Sequence, residues 1–344
     1  MRQINFSKLI VAGLLGISAL SGFAQEITLK FHHLWPSNAL APTKVIGPWC
    51  DKIAAESNNR MKCQILHSMS GGGTPPQLLD RVKDGVDDLV ITLPGYTPGR
   101  FPLMEVFELP FMSRSGEAMG GAAWEFAQKY AANEFVGFKP LAVWGHDAAY
   151  AHTSNKQIKT LEDYKGLKMR GPTRQVNKLL VKLGSTPVAM PASAVADSIS
   201  KGTIDGFLLP WELLGAFKMY EVTKFHTEIA PKYPSLYSAV FFVGMNQAKY
   251  DSLSADLKAI IDRNSGINWS RQIGKHWDEI QAPTRQLAKD RGNTIYVLPD
   301  AETERWIKAS ESVKSEWVAE INKRGVNGEQ LLKEAADLLT KHSR

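Results

Sequence analysis

The chain has 344 residues, and its 41 lysines and arginines against 35 acids give a formal charge of +6 at pH 7. That excess is mild and interleaved with acids, as Lys129 is with Glu125 and Lys258 with Asp256, so there is no basic run of the kind that binds nucleic acid. With 44% apolar and 22% charged residues the composition is that of a globular protein, and a chain this long divides its core between two domains.

The amino terminus reads as an export signal. Arg2 and Lys8 give a basic start, Leu9 to Leu20 is apolar, and Gly22-Phe23-Ala24 supplies the small residues a signal peptidase reads. The apolar run is short for a bilayer span. Residues 1–24 are therefore expected to be a signal peptide cleaved after about Ala24, leaving a protein in the periplasm. Cleavage removes Arg2 and Lys8 and no acid, so the formal charge falls from +6 to +4, and the remainder steers slightly toward anionic solutes.

In chain order, Ile27 to Phe31 alternates like a strand, Leu34-Trp35-Pro36-Ser37 is a loop, and a helix covers about Pro42 to Ala55 before the strand Met61 to Leu66. Cys50 on that helix returns directly to Cys63 on that strand, and an oxidising compartment favours a disulfide between them. Two separate thiols are the alternative, and the spacing is not that of a zinc pair. Gly71 to Gly73 then enters a helix through Thr74 as N-cap and Pro75 at its first position. The Lys-Ser/Thr ending of a phosphate loop is missing, which leaves close backbone approach to a ligand anion or to a neighbouring strand, equally weighted. Leu89-Val90-Ile91 has the continuous apolar character of a buried parallel strand, and it runs into an aromatic loop with Tyr96 and Phe101. Leu141 to Trp144 is another strand, ending at Gly145-His146-Asp147.

The stretch Thr160 to Pro210 carries the most information. Leu167-Lys168-Met169-Arg170 alternates as a short strand, Gly171-Pro172-Thr173 breaks it, and Val176, Leu179, Leu180 and Leu183 continue at helical spacing to Gly184. Ligands of open α/β sheets sit beyond the carboxyl ends of strands, where Arg170 and Thr173 fall. A guanidinium there can hold a carboxylate with two parallel hydrogen bonds. A second unit follows, with Pro187 to Ala189 as strand, Ser193 as a candidate N-cap, Gly202 as stop and Ile204 to Leu208 as the next strand. Further on, Phe241 to Asn246 reads as a strand returning to the first domain. Ser254 to about Gln281 reads as one helical run that Pro283 should kink or end. Trp306 to Ile321 and Glu329 to Thr340 read as closing amphipathic helices, their tryptophans core residues.

His67 to Ile91 (HSMSGGGTPPQLLDRVKDGVDDLVI), Glu108 to Met112 (ELPFM) and Thr160 to Pro210 together resemble the solute-binding proteins of tripartite ATP-independent periplasmic (TRAP) transporters, the C4-dicarboxylate-receptor-like family. The resemblance implies an α/β fold of two lobes around a cleft, with a long helix spanning both, that shuts on an organic acid anion and hands it to TRAP membrane carrier subunits. It implies lobe I from 25–147 plus about 237–275, and lobe II from 148–236 plus about 276–344 with the C-terminal helices. A monomer with no cofactor is expected; some relatives bind a metal-bridged ligand, but the crevice loops carry no acidic cluster to support a metal here.

By that resemblance Arg170 is the carboxylate-binding arginine. Where the family commonly has a second arginine this chain has Tyr150, and where it often has asparagine this chain has Leu209. Both departures remove polar grips, so buried polar groups of a dicarboxylate or sugar acid would lack partners. The candidate ligand set is Arg170, Trp35, Gly73, Tyr96, Trp144, His146, Tyr150, Thr173, Phe207, Leu209 and Trp211, which suits a planar or apolar body with one carboxylate. An aromatic or keto/hydroxy monocarboxylate is therefore expected. The alternatives left open are a C4-dicarboxylate or sugar-acid receptor, a protein presenting its ligand to a membrane sensor, and an enzyme. No G-x-S-x-G elbow occurs, and His32 and His33 are adjacent in extended chain, facing opposite sides. Glu212 is assigned to a hinge or lobe contact.

Overall fold

The computed structural model describes residues 26–146 and 148–343; the predicted signal peptide lies outside them. The chain first lays down β1 (Ile27–His32), β2 (Met61–Leu66), β3 (Leu89–Thr92) and β4 (Phe138–Gly145). It then crosses to β5 (Ala149–Thr153), β6 (Lys168–Gly171), β7 (Thr186–Ala189), β8 (Gly206–Pro210) and β9 (Phe225–Glu228). It returns for β10 (Val240–Asn246) and crosses a third time along the helix Ile267–Asp290 to add β11 (Thr294–Val297). One sheet has the order β2-β1-β3-β10-β4 and the other β11-β9-β5-β8-β6-β7. This is a mixed α/β architecture of two lobes.

In lobe I, β1, β2 and β3 are parallel while β10 runs antiparallel between β3 and β4. All of Leu89 to Thr92 is buried, which is why an uninterrupted apolar run forms this strand. In lobe II, β6 is parallel to β7 and β8, and β5 is antiparallel to β8 and β9. Cys50 and Cys63 are bonded, with Cα atoms 5.7 Å apart, and tie the helix Gly47–Glu56 to β2.

The expected helical run from Ser254 is two helices, Ala255–Arg263 and Ile267–Asp290. Gly266 adopts φ +91° between them and donates its N–H to the Leu141 carbonyl at 2.7 Å, a conformation only glycine takes readily. Pro283 does not end the second helix, because buried Trp277 before it and Thr284 and Ala288 after it pack it on both sides. Ser193 lies inside the turn Ala192–Ala194 instead of capping it; Pro191 occupies the cap.

The C-terminal helices depart from the expected assignment of 276–344 to lobe II. The helix Asp300–Lys323 begins there, with Trp306 against Tyr164 at 5.1 Å, but Trp317 donates to the Pro102 carbonyl of lobe I at 3.0 Å. The last helix, Gly328–His342, joins a separate apolar core with Phe107 and Phe126 of lobe I. The apolar stripe Val313, Trp317, Ile321, Leu331, Leu338 and Leu339 decides this, since it completes that core.

Candidate functional site

β6 ends at the interface between the lobes, and its Arg170 is fully enclosed although Lys168, two positions earlier on the same strand, is exposed. Two carbonyls orient the guanidinium: Nε donates to Met190 at 2.9 Å and Nη1 to Leu208 at 3.2 Å. Nη2 is buried and closes no hydrogen bond of normal geometry, although the guanidinium lies beside the Tyr96 phenol oxygen. Among the described residues no carboxylate forms an ion pair with Arg170. A buried charge is normally paired, because the desolvation it suffers amounts to several kcal/mol.

Lobe I closes over this end of β6. The Tyr96 phenol oxygen accepts the Ala192 N–H at 3.0 Å, and burial pushes its pKa up while the neighbouring Arg170 charge opposes that. A Cβ on Gly95 would lie 2.4 Å from Thr173 Cγ2, so at this position only glycine lets the lobes meet. Below it, burial raises the Glu108 carboxyl to about 8, with Glu105 repelling its charge and Thr173 and the Val240 N–H favouring it. Glu105 is itself held from lobe II by Arg174 Nε at 2.6 Å and Gln175 Nε2 at 2.7 Å.

From Arg170 an aromatic wall runs toward the helix Ile267–Asp290. The Tyr237 hydroxyl shares the Leu208 carbonyl at 3.0 Å, its ring meets His146 at 5.2 Å, and His146 meets Phe241 at 6.2 Å. Phe241 is stacked on Trp144 at 5.3 Å and touches Trp35 at 5.8 Å and Trp277 at 6.0 Å. Trp35, Trp144, His146, Tyr96, Thr173 and Arg170 thus lie along one continuous seam. Tyr150 is half-buried, and its hydroxyl donates to Gln281 Oε1 at 3.3 Å. Leu209 is buried beside it on β8.

Three of the expected residues are directed elsewhere. Gly73 is an exposed turn residue at φ +81° whose neighbours are Gln77 and Arg81, and Arg81 binds the Gly71 carbonyl at 2.8 Å and Asp87. The glycine turn therefore packs on its own lobe. Phe207 lies against His152, and Trp211 donates to Glu228 Oε1 at 2.9 Å inside lobe II. The reading along β8 could not separate crevice from core, because every residue of that strand is buried. Sequence reasoning also missed Tyr237, Met190 and Trp277. The first two act through backbone neighbours that no motif marks, and Trp277 was assigned to the core.

Among the described residues no group of three or more His, Cys, Asp or Glu side chains is placed to hold a metal ion, and no helix is long and apolar enough to cross a membrane.

The family model for bacterial extracellular solute-binding proteins, family 7, matches residues 31–320. The chain belongs to that family. Its fold is shared with a TRAP solute-binding protein of an unidentified marine microbe, specific for aromatic acid ligands and holding 3-hydroxybenzoate, at 44% identity and TM-score 0.91 over 93% of this chain and 100% of that one. A TRAP solute-binding protein of Rhodoferax ferrireducens T118 holding benzoate is 45% identical, with TM-score 0.91 over 92% and 98%. One from Bordetella bronchiseptica with bound mandelate is 25% identical, with TM-score 0.84 over 92% and 99%. This TRAP solute-binding protein is accordingly an organic-acid receptor by family, and family 7 proteins are receptors and not enzymes, working with TRAP membrane subunits.

Proposed function

We propose that the protein is a periplasmic receptor for an aromatic monocarboxylate, that Arg170 grips the carboxylate, and that closure of the two lobes delivers the loaded form to a TRAP carrier. The observation that carries this reading is the enclosed Arg170 guanidinium, which has no carboxylate partner among the described residues and no normal hydrogen bond at Nη2. Two carbonyls fix its plane, which leaves the charge for an anion that arrives when the lobes are apart. A carboxylate suits the planar fork better than any neutral group. The aromatic seam from Tyr237 to Trp277 supports a ring behind that carboxylate, and the structures at 44% and 45% identity hold 3-hydroxybenzoate and benzoate.

Tyr150 and Leu209 add no second cation to the seam, which favours one carboxylate over two. Contacts that span the lobes, such as Tyr96 to Ala192 and Gly95 to Thr173, exist only in the shut form. A ligand held from both sides therefore shifts the open and shut populations toward closure. The receptor acts as a monomer after removal of residues 1–24.

Calorimetric titration of the mature protein with benzoate, 3-hydroxybenzoate and succinate tests the reading. The aromatic acids should bind and succinate should not. Arg170→Ala should cost about 2–5 kcal/mol, at least about thirtyfold in Kd, with the fold of the variant checked by circular dichroism. Undiminished affinity in a folded Arg170→Ala protein would refute the role.

A further inference from the structure

A cavity of about 550 Å³ opens where three elements meet. They are the lobe I segment from Asn38 to Lys44, the lobe II helix Trp211–Ala216 with the turn after it, and the helix Ile267–Asp290 that joins the lobes. Its volume is that of a small-molecule site. No residue of the Arg170 seam lines it. Glu212 forms part of the wall, but its carboxyl is turned to the Trp35 and Trp277 indoles, and burial raises it to about 8, so at neutral pH it carries no charge.

The lining combines an apolar side with cations from both lobes. Leu40, Ala216, Ile280 and Leu287 supply the apolar side. Gly215 lets the lobe II helix lie against Ile267–Asp290, since a Cβ there would meet Thr284 Oγ1 at 2.8 Å. Lys44 comes from lobe I and Lys218 from lobe II, and among the described residues neither forms an ion pair. Lys44 is exposed on the π-helical turn Ala41–Ile46, whose Ala41, Pro42, Val45 and Ile46 are buried. Lys218 follows the end of Trp211–Ala216 at φ +52°, a conformation that glycine takes at lower cost and commonly fills at that helix position. Apart from Glu212 the one acid in the lining is Glu279, 3.3 Å from His276.

A cation at a helix end is favourable in its own right, and a single exposed lysine marks nothing. Two unpaired lysines from different lobes on one part-apolar cavity have a complementary occupant, a molecule with an apolar body and one anionic group. A polyol would meet the apolar side with nothing to bond, and a cation would meet the lysines. We propose that this cavity is a second binding site, for an amphipathic organic anion held by Lys44 from lobe I and Lys218 from lobe II, and that it works without Arg170. An occupant held from both lobes draws on each lysine, so loss of either one weakens it.

Anilinonaphthalene sulfonate, whose fluorescence rises in apolar surroundings, is an anion of this kind and serves as the probe. Titrated into the mature wild type at pH 7 it should bind saturably, and Arg170→Ala should keep that affinity within about twofold. Lys44→Glu and Lys218→Glu should each weaken binding about fivefold or more, since reversal replaces attraction with repulsion. Ala216→Trp, which fills the cavity, should abolish the signal. Lys52→Glu is the control, because Lys52 borders the adjoining groove beside Trp269 and not this cavity; it should alter the affinity less than about twofold. Circular dichroism checks the fold of each variant, and the charge reversals fall on exposed positions, so they decide the matter even where Ala216→Trp does not fold. Absence of saturable binding to the wild type overturns the inference. So does a loss in Lys52→Glu as large as in the other two reversals, which would make the attraction diffuse, or a loss confined to Arg170→Ala, which would put the anion in the seam. An effect at only one of Lys44 and Lys218 overturns the bridging of the lobes.

Discussion

At Glu108 the shut lobes enclose a carboxyl beside another acid. Glu105 faces it from its own turn, Thr173 and the charge of Arg174 from the lobe II helix entry, and the Val240 N–H from β10. Burial, the largest cause, and Glu105 raise its pKa from the ordinary 4.5 to about 8. A raised carboxyl holds a proton in the folded state that the unfolded chain has already released, so its contribution is complete below 4.5 and is lost as pH climbs toward 8. The slope is at most about 1.4 kcal/mol per pH unit. Glu212, also raised to about 8, adds to the same loss. His33 and His152, lowered to about 3 and about 4 by burial, act only on the acid side of their ordinary 6.5. Thermal unfolding measured from pH 6.5 to 8 should therefore show stability falling in the wild type and falling less in Glu108→Gln. Equal slopes would mean that Glu108 is already ionised in the folded protein. Glu108 stands in the sequence reading only as the first residue of the ELPFM stretch, with no role attached, whereas Arg170 was legible as a cation ending a strand before a helix. The difference is that strand ends have a chemistry of position, while a buried acid is defined by what folds over it.

Helix contacts show the same division between local and remote causes. The helix Gly116–Tyr130 crosses Ile267–Asp290 so closely that a Cβ on Gly274 would lie 1.9 Å from the Gly116 carbonyl oxygen. One on Gly120 would lie 2.2 Å from that of Ser270. Asp278 then takes the Gly116 and Glu117 N–H groups at 2.7 and 3.0 Å, capping the first helix from the second. Gly274→Ala, which would raise intrinsic helix propensity, should instead lower stability by about 1–3 kcal/mol through overpacking. A urea titration checks this, and an unchanged or higher midpoint would show that the crossing can relax. Apolar spacing predicted the helical run that holds Ile267–Asp290 and left Gly116–Tyr130 unread, and the break at Gly266 and the survival of the helix past Pro283 depend on Leu141 and on packing from both lobes. β11 went unread because Thr294–Val297 is a half-exposed edge strand, without the alternation a one-sided core imposes.

Across the whole molecule the two lobes followed from the family resemblance and the strand Phe241 to Asn246 from the sequence, while β5, β9 and the placement of the C-terminal helices did not, since an amphipathic stripe names a core without saying which one. Those helices give the shut form an outer clasp. Arg174 of lobe II donates from Nε to Glu105 of lobe I at 2.6 Å and from Nη1 to Glu320 of the helix Asp300–Lys323 at 2.7 Å. The Arg174 side chain is 23% exposed and Glu105 only 6%, so breaking the pair leaves a nearly buried carboxylate next to Glu108 with Gln175 as its remaining lobe II partner. Truncating one member of a fully buried charge pair costs 2–5 kcal/mol, and partial exposure of Arg174 reduces that to about 1–2 kcal/mol. The loss should fall on closure and not on either lobe, because Arg174 joins elements of different lobes. For Arg174→Ala we therefore expect ligand dissociation about tenfold faster in stopped-flow measurements. The ligand-free protein should also show a larger radius of gyration by small-angle scattering, with the unfolding midpoint nearly unchanged. Unaltered dissociation and radius would show that the inner contacts at Tyr96 and Gly95 hold the lobes together without the clasp.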